Sequence, residues 1–329
     1  MKTLVTGGGG FIGSQVVKQL LQKGEEVRVL ALPGENLRNL EGVDAEIVNG
    51  NVLDPKAMLD AVKGCDKVFH LAAVYAFWMR NPQLMFDVNV TGSKNVLDAC
   101  KANSVSKVVY TSSMVRYGGQ GSGKKGDENS PFVLGSTGEL YSISKFQSQE
   151  LAEQYAAEGL NLSIVNPTLP IGPGDIGPTP TGKYLIGMIK NPLIFYSESV
   201  VNAGDVRDIA AGHILAMEKG ERGRSYILGG MQDVRMSEFV NMSLKILGKR
   251  KPVIPVSEKA FEALGYVMEM YAEFVSCKAP VITSQAARAG ALGLSADCSR
   301  AVKELGYQCR PLEESIRDAV QWFKENKYI

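Results

Sequence analysis

Two histidines in 329 residues, His70 and His213, leave too few imidazoles for a metal cage, so no metal is expected. The five cysteines (Cys65, Cys100, Cys277, Cys298 and Cys309) are odd in number and lack any C-x-x-C spacing. That argues against a disulfide frame or a zinc cluster and for a reducing compartment. No apolar run reaches the roughly 18 residues of a membrane span, and a strand begins at residue 2, so neither a membrane segment nor a signal peptide is expected and the location follows as cytoplasmic. An excess of charge of one sign is also missing. With 36 Lys and Arg against 35 Asp and Glu, the formal charge is +1, and no basic surface is offered to nucleic acid or an anionic membrane.

What is present is ordinary for a globular chain: 45% hydrophobic and 22% charged residues. The length exceeds one core of about 100–200 residues, so two domains or a large α/β unit with a satellite are expected. Short apolar runs alternate with amphipathic stretches through the first half, as in parallel strands joined by crossover helices. Strands are predicted at 2–6, 26–31, 45–48, 67–70, 107–111 and 162–166, with helices at 12–23, 55–62, 82–102 and 139–158. In the first helix Ile12, Val16, Val17, Leu20 and Leu21 make one apolar stripe. The fold class is therefore α/β, a doubly wound parallel Rossmann sheet with a smaller, mostly helical C-terminal substrate-binding region.

After Pro167 a Pro- and Gly-rich stretch leaves the sheet. Residues 1–167 are the expected dinucleotide-binding domain and 205–230, a helix at 210–218 and a strand at 225–228, are expected to return to it. Residues 168–204 and 231–329 are then the substrate-binding region, with helices near 237–247, 257–275 and 312–324. The polar loop 118–129 is a candidate mobile segment.

Two local patterns carry chemistry. Thr6-Gly-Gly-Gly-Gly-Phe-Ile-Gly13 follows the first strand and opens the first helix, where Gly7, Gly10 and Gly13 let backbone approach a pyrophosphate at a helix N-terminus. Tyr141 and Lys145 are four apart, so on a helix they share a face, and the ammonium is expected to pull the phenol's pKa down from about 10 toward neutrality. Alone, a Y-x-x-x-K spacing is expected about once by chance in such a chain. Here it lies downstream of the glycine loop.

With these residues the chain resembles the extended short-chain dehydrogenase/reductase (NAD-dependent epimerase/dehydratase) family, whose loop reads T-G-x-x-G-x-x-G and whose catalytic pair reads Y-x-x-x-K. His70-Leu-Ala-Ala73, Asn89-Val-Thr-Gly92, Tyr110-Thr-Ser-Ser113, Leu305-Gly-Tyr307 and Pro311-Leu312-Glu-Glu also match, nearly end to end. It looks closest to the branch of dihydroflavonol 4-reductase-like enzymes, 3β-hydroxysteroid dehydrogenases and hopanoid-associated sugar epimerases, on Asn39-Leu-Glu-Gly42, Asn166-Pro167 and the stretch from Ala211-Gly-His213 to Gly229-Gly230.

The resemblance implies that Ser113, Tyr141 and Lys145 are catalytic: the tyrosine moves the proton, the serine is a second donor, and the lysine bonds the nicotinamide ribose. It also implies cofactor contacts from Gly7, Gly10, Phe11, Ile12, Gly13, Asn51, Val52, Leu71, Ala72, Ala73, Asn89, Thr111, Pro167, Thr168 and Leu169. His70 and His213 are expected to be structural, and Asp208 a helix cap rather than a catalyst. A homodimer through helices 82–102 and 139–158 is a further family expectation.

Two departures bear on the cofactor. The second strand closes with Val29-Leu-Ala31-Leu32-Pro33 and so lacks the carboxylate that holds NAD ribose hydroxyls, while Arg38 on the following loop is a candidate counter-ion for a 2′-phosphate. NADP is therefore expected over NAD. Asn51 stands where relatives carry an acid, and its amide is able to donate to and accept from adenine.

For the substrate, Val201 replaces the arginine with which nucleotide-sugar epimerases grip a diphosphate. Tyr75, Phe77, Trp78, Met114, Tyr117 and Tyr184, with Ser113, are candidate walls of an apolar pocket. Tyr266, Met268, Met270, Tyr271 and Phe274 fit either a lid or ordinary helix packing. The leading expectation is a ketone reductase or secondary-alcohol dehydrogenase for a small, fairly apolar, cyclic molecule. The alternatives are a nucleotide-sugar epimerase or dehydratase and a non-catalytic nucleotide-binding scaffold.

Overall fold

Seven parallel strands form the central sheet of the computed structural model, which describes residues 1–121 and 123–329. In chain order these are β1 (Lys2–Thr6), β2 (Glu26–Ala31), β3 (Glu46–Asn49), β4 (Lys67–His70), β5 (Lys107–Thr111), β6 (Leu162–Pro167) and, after three short strands, β10 (Ser225–Leu228). Their spatial order is β10-β6-β5-β4-β1-β2-β3, so the chain reverses direction between β1 and β4 and opens a crevice at the strands' carboxyl ends. Helix α1 (Phe11–Gln22) and α7 (Val206–Lys219) cover one face, with Val16, Val17 and Ile209 against Val5 and Phe69. The other face is covered by α2 (Pro55–Val62), α4 (Ser93–Ala102) and α5 (Leu140–Ala157), with Val62, Val96 and Ala152 against Val68 and Val108. Burial on both faces explains why these strands read as continuous apolar runs.

The expected 82–102 helix contains a π segment. Its start is α3 (Gln83–Phe86), a π-turn spans Asp87–Gly92, and only then does α4 begin. Within that turn Asn89 is bonded to the Val74 backbone, and a Cβ at Gly92 would lie 2.7 Å from Val52 Cγ2. A π-turn of this kind re-aims side chains without ending the helix.

Beyond β6 the stretch expected to be irregular contains β7 (Leu169–Ile171), which joins β9 (Val200–Asp205) and β11 (Asp233–Arg235) in a small sheet, while β8 (Ile194–Tyr196) pairs with β12 (Val253–Pro255). Helix α6 (Pro180–Lys190) was also unforeseen. Pro180 looked like a breaker, but it stands in the first turn, where no amide hydrogen is needed, behind Thr179, whose hydroxyl accepts from Gly182 N. A second core unites α6, α8 (Met236–Leu247) and α11 (Leu312–Glu325) around Leu185, Phe239, Val320 and Phe323. The remaining helices are α9 (Glu258–Tyr271) and α10 (Ser284–Ala291). Among the described residues no helix is long and apolar enough to cross a membrane.

The 118–129 loop is pinned where it is described. Gly119 N donates to Gly293 O, Gly126 N to Ser295 O, and Ile227 N to the Glu128 carboxylate. Ser122 within it lies outside the described residues.

Candidate active site

The carboxyl ends of β1, β4, β5 and β6 open onto one cavity of about 710 Å³, within the range of small-molecule and cofactor sites. At one end is the glycine loop. Gly7 has φ +69°, and a Cβ there would stand 2.8 Å from Ala72 N; at Gly13 it would stand 2.1 Å from Gly7 O. Both positions therefore require glycine. Helix α1 starts at Gly10 with no side-chain cap and no acid in its first turn, so its leading N–H groups are left to an external anion. This loop, open backbone donors and a neighbouring cavity fit the diphosphate of a nicotinamide dinucleotide.

Thirteen residues expected at the cofactor lie along this cavity. Gly7, Gly10, Phe11, Ile12 and Gly13 form the loop side, Leu71 and Ala73 follow β4, and Thr111 ends β5. Pro167 ends β6, Thr168 and Leu169 follow it, and Tyr141 and Lys145 come from α5.

The three residues expected to be catalytic converge from two elements. Ser113 follows β5, while Tyr141 and Lys145 are buried on one face of α5, at 8% and 3% exposure. Ser113 is positioned by Asn166 of β6, whose Nδ2 donates to its carbonyl oxygen at 3.1 Å. Its hydroxyl accepts from Val115 N at 3.4 Å; the Ser112 Oγ, also buried at the cavity, has no partner among the described residues.

One electrostatic expectation is corrected. Burial pushes the Tyr141 pKa above the usual range, offset only in part by the Ser113 hydroxyl. Burial also pulls the Lys145 ammonium down to about 7. Lys145 Nζ donates to Thr111 O at 2.8 Å and approaches Tyr110 Oη at 3.5 Å. Removing both groups from water disfavours the charged form of each, and this outweighs the attraction that i, i+4 spacing suggested.

Other expected contacts lie outside the cavity wall. Asn51 Oδ1 accepts from Leu53 N at 3.0 Å, a local turn that leads into α2, and Val52 packs in the core beneath Gly92. Ala72 meets the loop through backbone, its N donating to Thr6 Oγ1 at 3.3 Å. Asn89 acts from behind: it accepts from Val74 N at 2.7 Å and donates to Val74 O and Ser144 Oγ, tying the loop after β4 to α5. Arg38 is turned to the C-terminus, its guanidinium 5.8 Å from the Trp322 ring centroid and 6.0 Å from that of Tyr328, and it donates to Asn326 Oδ1.

Of the substrate-wall candidates, Tyr75, Phe77, Ser113 and Met114 line the cavity, and the Tyr75 ring centroid is 4.7 Å from that of Tyr141. Trp78, Tyr117 and Tyr184 do not. Tyr117 Oη accepts from Gln149 in the core, and Tyr184 packs on the second core and donates to Phe195 O. Tyr266, Met270, Tyr271 and Phe274 are exposed on α9 and the turn after it. They do not line the cavity; part of its wall is supplied by Ala286, Ala289 and Gly290 of α10. Small residues there gave no apolar signal to read.

Sequence reasoning also missed Glu35, Glu139 and Asp175. Glu139 is 1% exposed, and its carboxylate caps α5 by accepting from Tyr141 N at 2.8 Å and Ser142 N at 2.7 Å. Burial pushes its pKa up, with the Ser142 hydrogen bonds pulling back. Asp175, similarly raised by burial, holds Thr179 at the start of α6. The Glu139 pattern was legible as an acid just before an apolar helix start.

The histidines are structural. His70 lies between Thr6 Oγ1 (2.7 Å) and Ser93 Oγ (2.9 Å), with its pKa pulled down to about 3 by burial. His213 bonds Thr111 Oγ1 and Ile209 O and is pulled down to about 4. Asp205, rather than Asp208, caps α7; Asp208 is gripped by Arg310 at 2.7 Å.

Comparison with known proteins agrees with this geometry. The profile of the NAD dependent epimerase/dehydratase family matches residues 3–229. A putative dihydroflavonol 4-reductase of Synechocystis sp. is 31% identical over 99% of this chain and 95% of its own length. Sterol demethylase protein B of Methylococcus capsulatus is 28% identical over the whole of both chains. The crystal structure of gox2253 superposes with a TM-score of 0.88 at 32% identity, covering 99% of each chain. The chain belongs to the NAD dependent epimerase/dehydratase family and is an NAD(P)-dependent enzyme of the extended short-chain dehydrogenase/reductase type.

Proposed function

We propose that the protein is a reductase or secondary-alcohol dehydrogenase for a fairly apolar, ring-bearing ketone or alcohol. The observation that carries this is the meeting of Ser113, Tyr141 and Lys145 in one cavity between the glycine loop and an apolar wall of Tyr75, Phe77, Met114 and Leu294. A bound nicotinamide dinucleotide supplies or accepts the hydride. The chain's own residues then handle charge on the substrate oxygen. Tyr141, whose burial keeps it protonated, donates from Oη as alkoxide charge develops, and Ser113 Oγ is the second donor to the same atom. Lys145, beside the phenol on α5, stabilises it when its proton leaves.

Two similar proteins carry names that speak of a dihydroflavonol and a sterol, both multi-ring molecules, which favours the same substrate class. A nucleotide-sugar epimerase or dehydratase is the second reading. Against it, the described cavity wall contains no arginine, and Val201 of β9, at the sequence position where the resemblance puts a diphosphate-gripping arginine, is buried. A non-catalytic scaffold has no use for an intact Tyr141 and Lys145 pair at the mouth of a cavity. The expected preference for NADP loses its counter-ion, since Arg38 is directed to Trp322 and Tyr328. A homodimer through the 82–102 stretch and α5, in the cytoplasm, completes the proposal.

The test is a screen of steroid, flavonoid, small-ketone and nucleotide-sugar compounds with added reduced dinucleotide. The proposal predicts one dinucleotide oxidised per product formed from a ring-bearing ketone. Turnover of a nucleotide sugar with no dinucleotide added would contradict it.

A further inference from the structure

Strand β2 ends without an acid, yet a carboxylate reaches the glycine loop by another route. Pro33 and Gly34 form a tight turn after the strand, with Gly34 at φ +80° and Glu35 N donating to Leu32 O at 3.0 Å. This is the turn that a Pro-Gly pair favours, since proline presets the first corner and glycine accepts the left-handed second. The turn throws the Glu35 side chain back along the strand end. Its Oε2 accepts from Leu32 N at 2.9 Å. Its Oε1 stands over the loop: a Cβ built on Gly9 would lie 2.8 Å from it. Glu35 and Gly9 line the same end of the cavity, next to Gly10 and the start of α1.

We propose that Glu35 is the residue that selects the cofactor, favouring NAD(H) over NADP(H). The proposal rests on the dinucleotide reading of this cavity. A carboxylate fixed at one oxygen by Leu32 N keeps the other free to accept from ribose hydroxyls, whereas a 2′-phosphate placed there meets a like charge. Among the described residues lining the cavity, no arginine stands beside Glu35. Arg38 is directed to Trp322, Tyr328 and Asn326, and Trp322 of α11 and Tyr328 after it pack on the second core. The bland alternative is that Glu35 only closes its own turn.

Equilibrium binding of NADH and NADPH to the full chain, followed by the fluorescence of the reduced nicotinamide, separates the two. Wild type is expected to bind NADH at least about tenfold more tightly than NADPH. Glu35→Gln keeps an acceptor for Leu32 N and removes only charge, and it is expected to cut that ratio to about threefold or less, as is Glu35→Ala. Arg38→Ala is expected to leave the ratio unchanged. A wild type that binds NADPH more tightly, or a ratio unmoved in Glu35→Gln and Glu35→Ala, overturns the assignment while leaving the dinucleotide site intact. Failure of wild type to bind either dinucleotide removes the site and the assignment with it.

Discussion

Lys145 Nζ donates to the carbonyl oxygen of Thr111 at 2.8 Å, which ties the face of α5 that carries Tyr141 and Lys145 to the end of β5. Burial brings its pKa to about 7, so the ammonium is present below that pH and is lost above it. If the charge supports proton transfer by Tyr141, kcat/KM for ketone reduction falls as pH rises through 7, because that ratio reports the free enzyme. A Lys145→Arg variant with residual activity is expected to lack this fall, guanidinium staying charged up to about pH 12. A wild-type profile flat between about pH 6 and 9 would contradict the assignment.

The same group predicts a stability signature. An unfolded lysine titrates near 10.4, well above the folded value of about 7, so between them the unfolded chain binds more protons and stability rises with pH. The sign is that of a penalty on the buried charge, full at low pH and absent at high pH. Relative to Lys145→Met, wild type is expected to gain up to about 1.4 kcal/mol per pH unit in that window. Urea unfolding of both proteins at two pH values measures it, and parallel pH dependences would refute it.

Glu139 is expected to matter more to α5 than to the reaction itself. Replacing it by Ala removes the acceptor of Tyr141 N and Ser142 N and should cost about 1–2 kcal/mol of stability. It should also lower kcat more than it raises KM, since the phenol loses its backbone anchor, while Glu139→Gln restores most of both. Equal losses in the Gln and Ala variants would show that the charge, not the cap, is what counts.

The sheet was legible because its strands are buried on both faces and bounded by glycine and turn residues. β1, β2, β4, β5 and β10 begin and end at the expected residues. The glycine loop and the Tyr141–Lys145 pair were legible for a different reason: their spacings are local, whereas Ser113 came from the family resemblance. What escaped was decided by distant packing. The three strands of the β7, β9 and β11 sheet are three to six residues long, too short for a period to show. Arg38 finds Trp322 and Tyr328 nearly three hundred residues away, and no local pattern announces that. The environment of Tyr141 was misjudged because spacing gives proximity to Lys145 but not the loss of water that governs both pKa values.

The central claim is that the Tyr141 phenol moves the proton in a nicotinamide-dependent reaction, and the Tyr141→Phe variant tests it most directly. The substitution keeps the ring that packs 4.7 Å from Tyr75 and removes only the hydroxyl. Turnover with a substrate found in the screen is expected to fall at least about a hundredfold while dinucleotide affinity stays within about twofold. Turnover equal to wild type at unchanged affinity would contradict the claim.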